Sequence, residues 1–123
     1  MRIQTEPVVT HRDHRGALVK AWPGPVSGEV YTVELRPGHP RGHHYHQHGG
    51  EWFVPLQGVA ILIVEDPTTR ERAVIRLEGI RARVEAGIAH TLLAADDAPA
   101  LVLAIADREW RDEVTIPYLI VTP

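Results

Sequence analysis

The sequence predicts an all-β domain in which two antiparallel sheets form a sandwich or barrel. Short runs rich in Val, Ile, Leu, Thr and aromatic residues recur along the chain, and several alternate apolar and polar residues as half-buried strands do. Glycine, proline and aspartate turns separate these runs at spacings of roughly 8–12 residues, which is typical of this fold class. A third observation concerns chemistry, because five of the eight histidines lie close together between His39 and His48.

The predicted strands follow one another along most of the chain. In order, they are Ala17–Trp22, Glu29–Arg36, Trp52–Leu56, Val59–Glu65, Arg72–Glu78, His90–Ala95, Ala100–Ala106 and Val114–Val121. Apolar and charged residues also alternate through 80–85, and the segment 44–46 is extended after a Pro-Gly turn. The polar stretch Ala106–Val114 is the one helix candidate, and we interpret it as a loop between the last two strands.

Composition narrows the classes of protein to which the chain can belong. Its 123 residues, 44% hydrophobic and 24% charged, fit one globular domain, which we place over 1–123. A net charge of −3 does not favour binding to nucleic acid or to an anionic membrane. Apolar runs such as Val59–Val64 are far shorter than the roughly 20 residues that span a bilayer. The absence of cysteine excludes disulfides, thiolate metal sites and a cysteine nucleophile.

The sequence also predicts a cellular location and an oligomeric state. The first residues lack the apolar core of a secretory signal, so we expect a cytoplasmic protein. A small all-β chain must also protect the edges of its sheets, so we expect a homodimer.

Histidine spacing predicts a metal site between two strands. His44 and His46 are two residues apart, so on a strand both imidazoles point to the same face. A Gly-Gly turn then allows a reversal, and Glu51 begins the next strand beside them. His90 is the only later histidine, so it is the candidate fourth ligand. Imidazole and carboxylate ligands together suit one divalent transition metal, whether Zn, Fe, Ni, Mn or Cu.

The spacing of these residues resembles the first conserved motif of the cupin superfamily. Gly38 is followed by five residues and His44, then one residue and His46, four residues and Glu51, and six residues and Gly58. This resemblance implies a small jelly-roll-like β-barrel of two antiparallel sheets.

The second cupin motif is matched more loosely. Gly79 is followed by five residues and Glu85, then one residue and Gly87, and two residues and His90. Glu85 stands where the family usually has proline, and Ala94 where it often has asparagine. Neither position is a ligand in the family, and all four ligand positions of the two motifs are filled here.

Two further stretches resemble cupins that act on nucleotide-linked sugars. These proteins have a D-x-R-G strand start, as in 13–16, and an R-G-x-H-x-H core, as in Arg41–His46. One branch comprises dTDP-4-keto-6-deoxyglucose 3,4-ketoisomerases, which generally lack the glutamate and the second-motif histidine. Another is the zinc-carrying C-terminal cupin of capsular-polysaccharide sugar reductases, which is similar to this chain in keeping both. The resemblance implies an isomerase or epimerase in polysaccharide biosynthesis that acts on a keto sugar nucleotide through an enolate.

Candidate roles can be given to residues near the predicted ligands. His48 shares strand parity with the ligand histidines if the strand extends that far, so it is a candidate base, and Tyr31 is a candidate proton donor. Arg41 suits a phosphate of the small-molecule substrate, because its planar fork allows bidentate recognition. Tyr45 and Trp52 are further candidate substrate contacts. The alternatives are a metal-dependent cupin dioxygenase with an enclosed apolar pocket, and a non-enzymatic cupin that binds a small molecule.

Overall fold

The computed structural model describes residues 1–121, so the last two residues of the predicted domain lie outside the described part. The strands are β1 (Thr5–Pro7), β2 (Val9–Asp13), β3 (Gly16–Lys20), β4 (Val30–Leu35), β5 (Arg41–His46), β6 (Glu51–Gln57), β7 (Ala60–Glu65), β8 (Arg72–Leu77), β9 (Ile80–Val84), β10 (Ala89–Ala94), β11 (Ala100–Ala106) and β12 (Thr115–Pro117). One turn of 3-10 helix, Trp110–Asp112, precedes β12. Within 1–121, no helix is long and apolar enough to span a membrane.

Two five-stranded sheets make up the domain and confirm the predicted fold class. The first sheet has the order β1-β9-β6-β11-β4 and the second has the order β12-β5-β10-β7-β8. The strand pairs are antiparallel throughout, and β2 pairs with β3 as a separate hairpin. Many neighbouring strands in each sheet are not consecutive in sequence, so the chain crosses repeatedly from one sheet to the other. This topology brings strands that are distant in sequence to the same cavity.

The main core lies between the two sheets. Its fully buried side chains include Leu35, Phe53, Leu62, Leu77 and Val102, which come from strands of both sheets. Alternate residues of a strand point to opposite faces, so the apolar positions on one face of each strand enter this core. Burial of these side chains holds the sheets together.

A second apolar cluster covers the outer face of the first sheet. The chain that leaves the β2–β3 hairpin places Val19 and Trp22 over Trp52 of β6, and the two indole rings are 5.6 Å apart. The guanidinium group of Arg81 lies 4.8 Å from the ring centre of Trp22. The face of β6 that carries Trp52 is therefore packed against the N-terminal segment.

The ends of the chain differ most from the sequence-based prediction. β1 and β2 were not expected, because they are short, polar and largely exposed. The predicted strand Val114–Val121 shortens to β12, which ends at Pro117, a residue with no backbone N–H to donate. The stretch Ala106–Val114 contains only the single 3-10 turn, in agreement with its interpretation as a loop.

Candidate active site

A cavity of about 300 Å³ opens between the two sheets. Its walls are built from β4, β5, β6 and β10, and the 3-10 turn at Trp110 completes the rim. The lining residues are Glu29, Tyr31, Val33, Arg41, Gly42, His44, His46, Phe53, His90, Leu92 and Trp110.

Three of the predicted ligands meet in this cavity, and we call His44, His46 and His90 the histidine cluster. Their candidate ligand nitrogens all lie within 4.8 Å of one another. His44 and His46 come from one face of β5, and His90 of β10 pairs directly with His44 across the ladder. Gly42 permits this close pairing: its φ is +119°, and a Cβ there would lie 2.8 Å from the carbonyl oxygen of His90.

Hydrogen bonds fix the orientation of two rings of the cluster. Nδ1 of His46 lies 3.0 Å from the hydroxyl oxygen of Thr115, and Nδ1 of His90 lies 3.3 Å from the carbonyl oxygen of Ile88. A proton on each Nδ1 leaves the Nε2 lone pair free, which is the usual arrangement of a metal-ligating histidine. Nε2 of His46 is buried and makes no well-oriented hydrogen bond, although a Glu51 oxygen is 2.5 Å away. This donor set fits a divalent transition metal.

Burial favours the uncharged form of His44 and His90 in the histidine cluster. Burial is the largest cause that lowers the pKa of His90, to about 4. Burial also lowers the pKa of His44, and the neighbouring His46 adds to this effect. Both rings are therefore neutral near pH 7, and neutral imidazole is the form that binds a metal.

Glu51 lies beside the histidine cluster and contacts Tyr31. Its Oε1 faces Nε2 of His46, and its Oε2 accepts a hydrogen bond of 2.5 Å from the Tyr31 hydroxyl. Burial alone would raise the pKa of Glu51, but the close His46 ring and the hydrogen bond from Tyr31 outweigh it, so the pKa is lowered. Burial and the adjacent carboxylate raise the pKa of Tyr31. The pair is therefore a carboxylate and a phenol near neutral pH.

The turn before Glu51 is held by two carboxylates. The backbone N–H of Gly49 donates to Glu113, at 2.7 Å, and that of Gly50 donates to Asp107, at 3.0 Å. Arg83 pairs with Asp107, and a Cβ on Gly50 would lie 2.8 Å from the backbone carbonyl oxygen of Val84. Gly50 is thus required for packing as well as for reversal, and the turn places Glu51 beside His46.

The structure does not bring every predicted site residue into the cavity. His48 lies beyond the end of β5 and is exposed, so the strand-parity argument for a base is corrected: β5 ends at His46. Tyr45 points away from the cavity and packs on Tyr118, at 6.4 Å between ring centres. Trp52 lies on the opposite face of β6, outside the cavity. Both side chains lie on the strand face turned away from the cavity, because alternate residues of a strand point to opposite faces.

Sequence reasoning missed other residues that border the site. Glu29 and Trp110 line the cavity, and the Trp110 backbone N–H donates to a Glu29 oxygen at 3.2 Å. An isolated tryptophan within a strongly polar loop was the available signal for Trp110. Thr115, which contacts His46, had no comparable signal, because its place depends on the pairing of β12 with β5.

The two facing sheets, with the histidine cluster turned into the space between them, define a cupin-like domain. Residues 11–113 match the family model described as the polysaccharide biosynthesis C-terminal domain, and the chain belongs to this family. No curated protein gives a significant match.

Solved structures with the same fold include three sugar-nucleotide enzymes. A dTDP sugar isomerase from Desulfovibrio desulfuricans has a TM-score of 0.82 at 19% identity, over 94% of this chain and 83% of that one. ChmJ, a 3'-monoepimerase from Streptomyces bikiniensis in complex with dTDP-quinovose, has a TM-score of 0.74 at 18% identity, over 97% and 79%. QdtA, a sugar 3,4-ketoisomerase from Thermoanaerobacterium thermosaccharolyticum in complex with TDP, has a TM-score of 0.68 at 16% identity, over 91% and 86%. Such identities establish the shared fold alone.

Proposed function

We propose that this chain is an isomerase or epimerase that acts on a keto sugar nucleotide. The observation that carries the proposal is a single cavity lined by the histidine cluster, by Tyr31, whose hydroxyl is hydrogen-bonded to Glu51, and, at its mouth, by Arg41. Membership of a polysaccharide-biosynthesis family supports it, as does a fold shared with sugar-nucleotide isomerases and an epimerase.

The reaction removes a proton from the carbon next to a ketone and returns it to another face or another carbon. The enolate formed in between is strongly basic at carbon, so it can take a proton even from a weakly acidic phenol. Tyr31 keeps its proton at neutral pH, lines the cavity and is oriented by Glu51. We therefore assign the proton return to Tyr31; the proton removed from carbon passes to solvent through the open mouth of the cavity, and the Tyr31 phenolate regains a proton from the same solvent.

Metal dependence is part of the proposal. The histidine cluster and Glu51 are the residues that would hold one divalent ion. When bound, such an ion supplies Lewis-acid stabilisation of the negative oxygen that develops on the substrate, worth several kcal/mol. Glu51 would at the same time keep the Tyr31 hydroxyl oriented, because its other carboxylate oxygen accepts the hydrogen bond from that hydroxyl.

The size of the cavity indicates how a sugar nucleotide would bind. A volume of about 300 Å³ is at the lower end of the range for small-molecule sites, so it suits the sugar alone. The diphosphate would then lie at the mouth, where Arg41 offers a planar set of donors.

The lining also bears on the dioxygenase alternative. Val33, Phe53 and Leu92 give part of the wall an apolar character, which that alternative requires. The exposed Arg41 stands at the opening, and its positive charge favours an anionic substrate that extends into solvent. We therefore favour the sugar-nucleotide reaction over dioxygenation and over binding without turnover.

A deuterium-exchange assay tests the proposed reaction. The protein is incubated in D₂O with dTDP-4-keto-6-deoxyglucose, and proton NMR follows the signals of the carbons next to the ketone. We expect exchange and a rearranged product, and Tyr31→Phe should slow both by about 100-fold or more. Tyr45→Phe is the matched control, because its ring packs on the outer face of the second sheet.

Two results would contradict the proposal. If wild-type protein supplied with divalent metals exchanges no proton of any keto sugar nucleotide, the proposed reaction is wrong. If Tyr31→Phe exchanges protons and forms product as fast as wild type, the assignment of the proton return to Tyr31 is wrong.

A further inference from the structure

Trp110 is a large aromatic residue that the proposed reaction does not use. Its side chain is 63% exposed and belongs to none of the apolar clusters formed within 1–121. Trp22 and Trp52, in contrast, pack on each other behind the first sheet. The Trp110 ring instead lines the rim of the cavity that contains the histidine cluster.

The backbone around Trp110 is held firmly despite this exposure. Its N–H donates to Glu29, and its carbonyl oxygen accepts from the N–H of Glu113, at 3.1 Å. The Arg108 guanidinium donates to the carbonyl oxygen of Asp112, also at 3.1 Å. The ring is therefore carried on a braced turn, and a preorganised aromatic surface loses little conformational entropy when a ligand covers it.

We propose that Trp110 is the stacking platform for the base of the nucleotide substrate. This inference rests on the proposed function, in which the sugar fills the cavity and Arg41 holds the phosphates at the mouth. The base must then lie outside the cavity, and Trp110 presents a flat apolar ring at the same rim. Stacking on an aromatic ring accepts any base, because every base has a π-face. Trp110 would thus select for the presence of a base more than for its identity.

A groove on the other side of Arg41 is the competing position for the base. It has a volume of about 500 Å³ and is lined by Arg36, His39 and Pro40, among others. It offers charge but no ring as large as an indole, which favours Trp110 for stacking.

Binding measurements with two probes separate these positions. Thymidine diphosphate and glucose 1-phosphate are titrated by calorimetry into wild type, Trp110→Ala, Trp110→Phe and Arg36→Ala. Trp110→Ala should weaken thymidine diphosphate binding by about tenfold or more, the scale of one base stacked on one ring. Trp110→Phe should restore most of the affinity, and glucose 1-phosphate binding should not change. Leu119→Ala, at another exposed apolar position, is the control for surface changes.

Other results would contradict the stacking role of Trp110, alone or together with the proposed function. Equal thymidine diphosphate affinity in wild type and Trp110→Ala removes the stacking role and leaves the proposed function standing. Equal losses for both probes show that Trp110 contacts the sugar phosphate and not the base. If Arg36→Ala weakens thymidine diphosphate binding and Trp110→Ala does not, the base lies in the groove. A wild-type protein that binds no nucleoside diphosphate overturns the stacking role together with the proposed function.

Discussion

Replacing Arg81 by alanine should weaken the packing of the N-terminal segment on the first sheet. The Arg81 side chain is nearly buried, and its Nε donates a 2.7 Å hydrogen bond to Glu6. One of its terminal nitrogens donates to the carbonyl oxygen of Ala21 at 3.3 Å, and the guanidinium lies 4.8 Å from the ring centre of Trp22 and 5.7 Å from that of Trp52. The substitution removes these contacts together and leaves a gap between the rings.

The magnitude of this effect can be worked out from those contacts. A hydrogen bond to a charged partner contributes about 1.5–3 kcal/mol. A cation–π contact adds about 0.5–2 kcal/mol, depending on its exposure to solvent. The Glu6 side chain is 38% exposed and can regain water, so the lower part of the range applies. We expect Arg81→Ala to lower the free energy of unfolding by about 2–3 kcal/mol, or to lower Tm by roughly 6–15 °C at this chain length.

Urea titration followed by circular dichroism measures this change in unfolding free energy. Arg76→Ala is the matched control, because the Arg76–Glu78 pair is exposed on both sides and should contribute less than about 1 kcal/mol. A loss of less than about 0.5 kcal/mol in Arg81→Ala would refute the idea that this residue fastens the segment. Equal losses in the two variants would refute it as well.

Three further expectations concern metal binding, acid stability and assembly. His90→Ala should lower divalent-metal content sharply in elemental analysis. His48→Ala should retain both metal and activity, because His48 lies outside the cavity. Full metal content in His90→Ala would contradict the predicted metal site. Arg83 lowers the pKa of Asp107, so their pair stabilises the fold above about pH 4 and loses that contribution as pH falls further. The difference in unfolding free energy between wild type and Asp107→Asn should thus be present at pH 7 and shrink below about pH 4, and a difference constant with pH would count against the pair. Light scattering should give about twice 13.7 kDa, since the β2–β3 hairpin is exposed, and a stable monomer would refute the predicted homodimer.

Most strands and two of the three residues of the histidine cluster could be predicted from local sequence. Side chains alternate across a strand with a period of two, so His44 and His46 had to share a face once 41–46 was extended. The Gly-Gly turn before Glu51 likewise indicated a reversal within a few residues. These features depend only on neighbours along the chain, and the structure agrees with them.

Contacts between distant residues were decided by the tertiary structure. His90 reaches His44 because β10 pairs with β5, and Tyr31 reaches Glu51 because β4 and β6 both pair with β11. The cupin spacing indicated His90 as a ligand, but it carried no information on the Tyr31–Glu51 hydrogen bond.

The position of His48 outside the cavity was also decided by the tertiary structure. Beyond His46 the backbone turns to bond Val114 and Glu113 instead of continuing the ladder, so strand parity no longer applies. Local sequence determined which side chains share a strand face, because that depends on backbone geometry alone. Long-range pairing determined where each strand ends and which faces meet, because those depend on hydrogen-bond partners from elsewhere in the chain.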